Sequence, residues 1–304
     1  MPGKKNTTKD HLPSIKLLIA KDWQDYELID SGDGYKLERF GPYKLARPEP
    51  EAFWSTTLKD SVWNSADALF SVTDEKNGGH WDIKEKLPQR WPIQYKGIQF
   101  WVQITGSRQI GIFPEQSGQW DWISYQIRKN RRQLNILNLF GYTGMASLVA
   151  ARAGARVTHL DASKKAIIWA KENQDLSNLS DKPIRWLVDD ALKFVQRENR
   201  RGNMYDAIIL DPPKFGRGPK GEVWEFYKLL PALLHSCRSV LSKNPQFVLL
   251  TAYAVKASAL TLYNALSDMM GDTRGNLIPG EVIIKEKSAG RLISRSVYAS
   301  WSSK

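Results

Sequence analysis

The feature that most constrains the fold is an apolar run that ends in a glycine-bearing turn, NILNLFGYTG at residues 135–144. A helix of small residues is predicted directly after it, at 145–153. This order places bare backbone at the carboxyl end of a strand, where open α/β sheets bind their cofactors. A second motif, DPPKF at residues 211–215, puts a carboxylate and two prolines at the end of a later strand. Together the two motifs indicate group transfer between a cofactor and an acceptor.

From residue 126 onward the pattern alternates between strands and helices. Strands are predicted at 135–140, 155–160, 184–188, 207–210 and 246–250. Helices are predicted at 145–153, 163–176, 191–199, 222–241 and 256–270. Two further strands, 281–285 and 296–301, are expected to close the chain as an antiparallel pair. We therefore predict an α/β fold, a Rossmann-like seven-stranded sheet with an antiparallel end hairpin.

The front part of the chain is predicted to form short strands. Most of the 12 tryptophans precede residue 125, and they are expected to fill a small β core. One hairpin is predicted from strands 26–30 and 35–40, and another from strands 98–105 and 109–113. We predict two domains. Residues 1–125 form a smaller β-rich N-terminal domain with a connecting segment, and residues 126–304 form the cofactor-binding domain.

Charge and composition narrow the class of partner. The chain carries 44 Lys and Arg against 32 Asp and Glu, a net charge of +12. This excess favours nucleic acid, because cations placed on phosphates release counterions. The apolar runs are only strand-length, no signal-peptide core is present, and the single cysteine, Cys237, permits no intrachain disulfide. We expect a cytoplasmic protein with no membrane or metal partner; its oligomeric state stays open.

The glycine turn discriminates between nucleotide cofactors. Gly141 and Gly144 have a G-x-x-G spacing, whereas dinucleotide folds use G-x-G-x-x-G, and no G-K-[ST] follows. Bulky Tyr142 argues against a pyrophosphate pressed on the turn. S-adenosylmethionine has no phosphate and needs only close backbone approach, so it is the predicted cofactor. Its predicted contacts here are Phe140, Gly141, Tyr142, Thr143 and Gly144.

Acidic residues follow the next strands in register with this turn. Asp161, with Ser163 after it, ends the second strand, where a carboxylate can accept hydrogen bonds from both ribose hydroxyls. Asp190 ends the third, where it can accept the adenine amine while the Ala191 region meets the ring. A single aspartate often only caps a helix. Three acids at strand ends, with Asp211 as the third, predict one S-adenosylmethionine site.

The chain resembles the class I S-adenosylmethionine-dependent methyltransferases, and within them the large-subunit (23S) ribosomal RNA methyltransferases, which have cytosine-C5 and guanine-N7 members. The motifs that carry the resemblance are NLFGYTG (138–144), LDAS (160–163), DDA (189–191), DPPKF (211–215) and GIFPEQ (111–116). It covers residues 95–301 and implies a Rossmann-like methyltransferase fold. The implied cofactor contacts are Phe140, Gly141, Thr143, Asp161, Asp190 and Asp211.

The sequence constrains the methyl acceptor less than it constrains the cofactor. Cytosine-C5 members carry a cysteine after the fifth strand, where this chain has TAYA at 251–254. C5 methylation needs a thiolate nucleophile, and Cys237 lies in a predicted helix where burial is expected. Transfer to an amine or ring nitrogen needs only positioning, and DPPKF is similar to the [Asn/Asp]-Pro-Pro-[Tyr/Phe] motif of amino-methyltransferases. The predicted catalytic residues are Asp211, Pro212, Pro213 and Lys214.

The predicted function is therefore S-adenosylmethionine-dependent methylation of RNA, with a base of ribosomal RNA as the expected target and no covalent cysteine intermediate. Two alternatives stay open. The acceptor could be a protein or a small molecule, or the chain could be a non-catalytic nucleic-acid-binding protein with the same fold.

Overall fold

The computed structural model describes residues 12–73, 78–84 and 87–304. The N-terminal part consists mainly of short strands. Its elements are β1 (Lys16–Ile19), β2 (Tyr26–Gly32), β3 (Tyr35–Phe40), β4 (Tyr43–Pro48), α1 (Asp60–Trp63), β5 (Ala68–Val72), β6 (Gly79–Ile83), β7 (Arg90–Tyr95) and β8 (Ile98–Gln103). A short 3-10 helix, Pro114–Gln116, and helix α2 (Ser117–Arg128) lead into the second part.

The second part alternates strands and helices, as the sequence pattern predicts. Its elements are β9 (Asn135–Leu139), α3 (Met145–Arg152), β10 (Arg156–Asp161), α4 (Lys164–Leu176), β11 (Ile184–Val188), α5 (Ala191–Arg200), β12 (Ala207–Leu210), β13 (Phe215–Arg217), β14 (Val223–Glu225), α6 (Phe226–Val240), β15 (Phe247–Ala252), α7 (Ala259–Met270), β16 (Asn276–Lys285) and β17 (Leu292–Ser302). Every residue of β12 and β15 is buried, because helices cover both faces of a largely parallel sheet.

The large sheet has the strand order β1-β16-β17-β15-β12-β9-β10-β11. Helices α2 and α3 pack on one face, and α5, α6 and α7 pack on the other. The strand order reverses between β9 and β12, which are parallel neighbours. Their carboxyl ends therefore form a topological switch point, the usual ligand crevice of such sheets. The α/β, Rossmann-like fold class is confirmed.

The sheet has eight strands within the described residues, one more than predicted. The extra strand is β1, which pairs in parallel with β16 and places Lys16 opposite Gly280. It comes from the N-terminal part of the chain, and α2 crosses the predicted boundary between residues 125 and 126. The division into domains 1–125 and 126–304 stays a prediction.

The N-terminal strands form a five-stranded sheet, β2 to β6 in chain order, and the hairpin β7–β8. Their core includes Phe40, Trp91 and Phe100, which cluster with Trp120 of α2 and Leu148 of α3. The tryptophans in this cluster fill a core, as expected. Shared packing holds the N-terminal sheet against the helices of the second part.

The predicted strand at 109–113 is wrong. Gly111 has a φ of +100°, a left-handed backbone conformation that interrupts an extended strand. Its carbonyl accepts a hydrogen bond of 2.6 Å from Thr143 Oγ1, and a side chain at this position would collide with the Trp169 ring. The segment therefore packs against the turn after β9, and one backbone hydrogen bond of 3.1 Å, from Gln103 N–H of β8 to the Ile110 carbonyl, takes the place of the predicted strand pairing.

Two helices begin three or more residues later than predicted. Residues 223–225 pair with β13 as β14, so α6 begins at Phe226 and not at 222. Helix α7 begins at Ala259 and not at 256, because Ser258 caps it in a capping box with Thr261. In the described ranges no helix has the length and apolar character needed to cross a membrane. Their His, Cys, Asp and Glu side chains form no group of three or more able to hold a metal ion.

Candidate active site

The turn after β9 holds its backbone in an unusual conformation. Phe140 and Tyr142 have φ values of +58° and +50°, in the left-handed region that bulky residues rarely adopt. Between them, the Gly141 N–H donates to the carbonyl of Leu160 at 3.0 Å. A side chain at Gly141 would collide with the buried ring of His159. Backbone strain of this kind is concentrated at ligand sites.

A buried polar network supports the turn from below. His159 is fully buried, and burial lowers its pKa to about 3, so the ring is neutral at pH 7. Its Nδ1 atom lies 2.9 Å from Ser147 Oγ, which also accepts a hydrogen bond of 2.9 Å from Asn138 Nδ2. The network joins β9, α3 and β10 directly beneath Gly141.

Asp161 lies at the end of β10 and faces the turn. Its Oδ2 accepts a hydrogen bond of 2.9 Å from the Tyr142 N–H, and its Oδ1 accepts one of 2.8 Å from the Ser163 N–H. Burial raises the pKa of this carboxyl. Each oxygen keeps a further lone pair, so Asp161 can still accept hydrogen bonds from a diol. Ser163 also caps α4 by accepting a hydrogen bond of 3.2 Å from Ala166 N–H.

The acids after β11 have different local partners. Asp190 Oδ1 caps α5 by accepting a hydrogen bond of 2.9 Å from the Lys193 N–H. Asp189 is ion-paired with Arg197. Ala191 is the first residue of α5, so backbone N–H groups of a helix N-terminus lie beside the carboxylate of Asp190.

Asp211 follows β12 at the switch point. Its Oδ2 accepts a hydrogen bond of 2.6 Å from Gln116 Nε2, while its Oδ1 is buried without a hydrogen-bond partner among the described residues. Burial raises the pKa of Asp211 to about 6; the Gln116 hydrogen bond opposes this rise and the Glu115 charge adds to it. A buried acceptor without a partner is costly, so this oxygen is available to a bound ligand.

The acids open onto one cavity of about 410 Å³ at the carboxyl ends of the strands, called the main cavity here. The predicted site residues that line it are Phe140, Tyr142, Asp161, Ser163, Asp190, Ala191, Asp211 and Pro213. Gly141 and Thr143 line a smaller space beneath the turn instead. Gly144 caps α3 and packs close to Trp186. Pro212 is buried and Lys214 is exposed, and neither lines the main cavity.

The sequence does not predict three aromatic walls of the main cavity, Phe113, Trp224 and Tyr253. Trp224 Nε1 donates a hydrogen bond of 2.6 Å to the carbonyl of Pro213, which holds β14 over the DPPKF loop. The Phe113 and Tyr253 rings lie 5.7 Å apart. The sequence offered one signal for Phe113, its position in the GIFPEQ segment, and one for Tyr253, its position in the TAYA segment after β15.

A second cavity of about 250 Å³, called the front cavity here, adjoins the first. Gln109, Phe113 and Tyr253 line both cavities. The remaining walls come mainly from the N-terminal sheet, from the 3-10 helix and from β17, and they include Arg47, Glu49, Arg108, Glu115 and Arg295. The front cavity therefore presents aromatic faces together with charged donors and acceptors.

A buried ionic network supports the front cavity. Arg47 contacts Glu38 at 2.6 Å, Lys36 lies 3.5 Å from Glu49, and Arg295 is also paired with Glu49. Burial alone would raise the pKa of Glu38, but the charges of Arg47 and Lys36 outweigh it and lower the pKa to about 2. Burial lowers the pKa of Lys36 to about 8. The network joins the N-terminal sheet to β17.

The main cavity fits S-adenosylmethionine in its chemistry. Asp161, Asp189, Asp190 and Asp211 line it, and they suit a ligand with a sulfonium, an ammonium group and ribose hydroxyls. The missing side chain of Gly141 lets the turn pack closely on His159, which positions Phe140 and Tyr142 at the cavity wall. The buried, partnerless oxygen of Asp211 gives a further acceptor.

The chain belongs to the S-adenosylmethionine-dependent methyltransferase family, whose model matches residues 73–251. This confirms the predicted cofactor and enzyme class. Among solved structures, the SAM-dependent methyltransferase from Agrobacterium tumefaciens is 46% identical, with a TM-score of 0.92, and the match covers 97% of this chain and 95% of that one. A protein described as a methyltransferase and complexed with SAH shares the fold, with 18% identity, a TM-score of 0.70 and coverage of 92% and 76%.

The resemblance to large-subunit ribosomal RNA methyltransferases is also confirmed. The ribosomal RNA large subunit methyltransferase K/L of Hahella chejuensis is 31% identical over 182 residues. The aligned part is 55% of this chain but only 24% of that relative. This chain thus matches about a quarter of the length of the relative.

Proposed function

We propose that this protein methylates a base of RNA, with ribosomal RNA as its substrate. The observation that carries the proposal is the position of Asp211. Its Oδ1 is buried without a described partner, and its Oδ2 is bonded to Gln116, which lines the front cavity. The carboxylate thus links the main cavity, which suits the cofactor, to an adjoining cavity with aromatic faces and charged edges, which suits a nucleobase.

Bound S-adenosylmethionine supplies an electrophilic methyl group. In this proposal Phe140, Gly141, Tyr142, Thr143 and Gly144 shape the turn against it, Asp161 and Ser163 hold the ribose end, and Asp190 and Ala191 hold the adenine end. Asp211 accepts a hydrogen bond from the acceptor amine or from the cofactor's amino group. Pro212 and Pro213 keep the Asp211 backbone rigid. Positioning of this kind is the main source of rate in direct group transfer.

Lys214 is assigned to the substrate side. It is exposed beyond the main cavity, at the base of the β13–β14 hairpin, and Arg217 of that hairpin lines the main cavity. Both cations can contact the phosphate next to the target base.

Direct transfer without a covalent cysteine intermediate is part of the proposal. Cys237 is fully buried in α6, and burial raises the pKa of its thiol, so it is neither accessible nor ionised. Tyr253 lies after β15 and lines both cavities; its ring supplies a stacking face.

RNA is favoured over a protein or small-molecule acceptor by two observations. The net charge is +12, and the matching relative is named for ribosomal RNA. Action on ribosomal RNA places the enzyme in the cytoplasm.

The test is incubation with methyl-labelled S-adenosylmethionine and total RNA from a strain that lacks the gene, followed by nucleoside mass analysis. We expect label in one methylated base, and none with the Asp161→Ala variant. Label in 5-methylcytosine would overturn direct transfer. Label only in protein or small molecules would overturn the RNA acceptor, and failure of the wild-type protein to bind S-adenosylmethionine in calorimetry would favour a non-catalytic scaffold.

A further inference from the structure

An open groove of about 850 Å³ runs along helix α2. Helix α3 and the β7–β8 hairpin form its other walls. The residues that give it its character are Lys96, Asp121, Tyr125, Arg128, Lys129 and Arg152. We call it the α2 groove. Its cations outnumber its acid, so it is positive.

Most of this positive charge is not neutralised by protein groups. Lys96 is paired with Asp121 at 2.7 Å and with Asp22 at 3.0 Å. In contrast, across the described ranges no acid lies within ion-pair distance of Arg128, Lys129 or Arg152.

The cations also repel one another. Burial lowers the pKa of the Arg152 guanidinium and the nearby charge of Arg128 lowers it further, while the charge of Asp121 opposes both. Four cations around this one acid leave an excess of positive charge, which indicates a site for an external anion. Tyr125, on the same helix, is 65% exposed and offers an aromatic face beside these cations.

The groove begins near the candidate site, since Trp120 lines both the groove and the space beneath the turn, but its Arg128 end lies toward the opposite edge of the sheet. Gln116, which bonds to Asp211, immediately precedes α2, and Arg128 is the last residue of this 12-residue helix. A helix of that length spans roughly 18 Å. Arg152 ends α3, shortly before β10 begins at the amino edge. A ligand that touches both places must be at least that long.

We propose that the α2 groove binds the sugar–phosphate backbone of a folded RNA at a point remote from the methylated base. This inference rests on the proposed RNA acceptor and narrows the acceptor to a folded RNA. A free nucleotide, a small molecule or a single protein side chain in the site cannot reach Arg128 and Lys129 at the far end of the groove, whereas a folded RNA can contact both places. The groove thereby selects a structured acceptor over a short one without contacting the base.

Within the basic sequence RKNRR at residues 128–132, Arg132 contacts another part of the fold. Arg132 forms two hydrogen bonds of 2.8 and 2.7 Å to Asp206, so it stabilises the start of β9. Arg128 and Lys129 are exposed and make no side-chain hydrogen bond within the described structure. They can be replaced with little effect on the fold.

The test uses the full chain with Arg128→Ala/Lys129→Ala. Binding of large-subunit ribosomal RNA, transcribed in vitro, is measured over a range of salt concentrations. The control, Lys243→Ala/Arg274→Ala, removes the same charge from the loops after α6 and α7, which pack on the other face of the sheet. The slope of log Kobs against log salt is negative, and each lost phosphate contact reduces its magnitude by about 0.7 to 0.9. We therefore expect the magnitude of the slope to fall by about 1.5 in the groove variant but not in the control.

Methylation kinetics give an independent readout. On the RNA that the wild-type protein methylates, the groove variant should show a raised KM, an unchanged kcat and unchanged S-adenosylmethionine affinity. If wild-type protein methylates RNA and both slope and KM are unchanged in the groove variant, the groove assignment is wrong while the proposed function stands. An equal reduction of the salt slope in the control variant would also overturn the groove assignment. Wild-type protein that neither binds nor methylates RNA would overturn both.

Discussion

Gln116 Nε2 donates a hydrogen bond of 2.6 Å to Asp211 Oδ2, and thereby ties the segment before α2 to the switch point of the sheet. The bond holds down the pKa of Asp211, which burial raises to about 6. Only the charged form accepts hydrogen bonds at both oxygens without donating one. It predominates above that pKa and is lost as the pH falls through it.

The first prediction concerns this pH dependence. We expect log(kcat/KM) for methyl transfer to fall on the acid side with a midpoint near pH 6, because this ratio reports groups of the free enzyme. Replacing Gln116 with alanine removes the donor that lowers the pKa of Asp211, so the midpoint should move to higher pH. Gln119→Ala is the matched control, since Gln119 bonds to Thr251 and not to Asp211. A midpoint that stays in place in Gln116→Ala would contradict the assignment.

The second prediction concerns the glycine turn. Gly141→Ala would place a methyl group against His159 and Asn138, and overpacking of this kind costs about 1–3 kcal/mol. We expect lower stability in urea and weaker S-adenosylmethionine binding in calorimetry. Gly106→Ala, where an added methyl group meets nothing, should leave both unchanged. Wild-type affinity in Gly141→Ala would show that cofactor binding does not depend on the close packing of this turn on His159.

The sequence predicts the parts of the site that depend on local patterns, and it does not predict the contacts between distant segments. The glycine turn, the alternating elements and the strand-end acids are local patterns, and periodicity places them on one edge of the sheet. The Gln116–Asp211 bond and the Phe113–Tyr253 wall join segments far apart in the chain, so no local pattern encodes them. The Gly111 segment reads as a strand because its isoleucines alternate, but tertiary packing overrides that preference.

The third prediction concerns the buried ionic network. Glu38→Gln leaves Arg47 and Lys36 buried with less compensation, and breaking a buried pair costs about 3–5 kcal/mol. The lowered pKa of Glu38, about 2 against an ordinary 4.5, means that its stabilisation is present above the ordinary value and is lost as the pH falls toward 2. The free energy of unfolding, measured in urea at pH 7 and at pH 3, should therefore change less with pH in the variant than in the wild-type protein.

The control for this experiment is Glu27→Gln, which breaks a partly exposed pair with Lys287. Such a pair contributes about 0–1 kcal/mol. If Glu38→Gln is no more destabilised than Glu27→Gln at pH 7, the network does not stabilise the N-terminal sheet.

The fourth prediction concerns the only cysteine. Cys237→Ala should retain the wild-type kcat, because the thiol is buried in the α6 core and away from both cavities. A small cavity in that core should cost about 1 kcal/mol of stability. Specific activity, measured together with urea unfolding, separates the two effects. Loss of methyl transfer in a folded variant would reopen a covalent route.

The pairing of strand β1 affects the order in which the large sheet assembles. Among the described strands β1 pairs only with β16, in a register that places Lys16 opposite Gly280, so the two paired segments are far apart in the chain. Contacts of such long sequence separation form late, because a large loop must close first. Strand β16 is therefore the edge of the sheet until β1 adds to it, and a folding intermediate without β1 exposes β16 backbone groups that can pair with another chain.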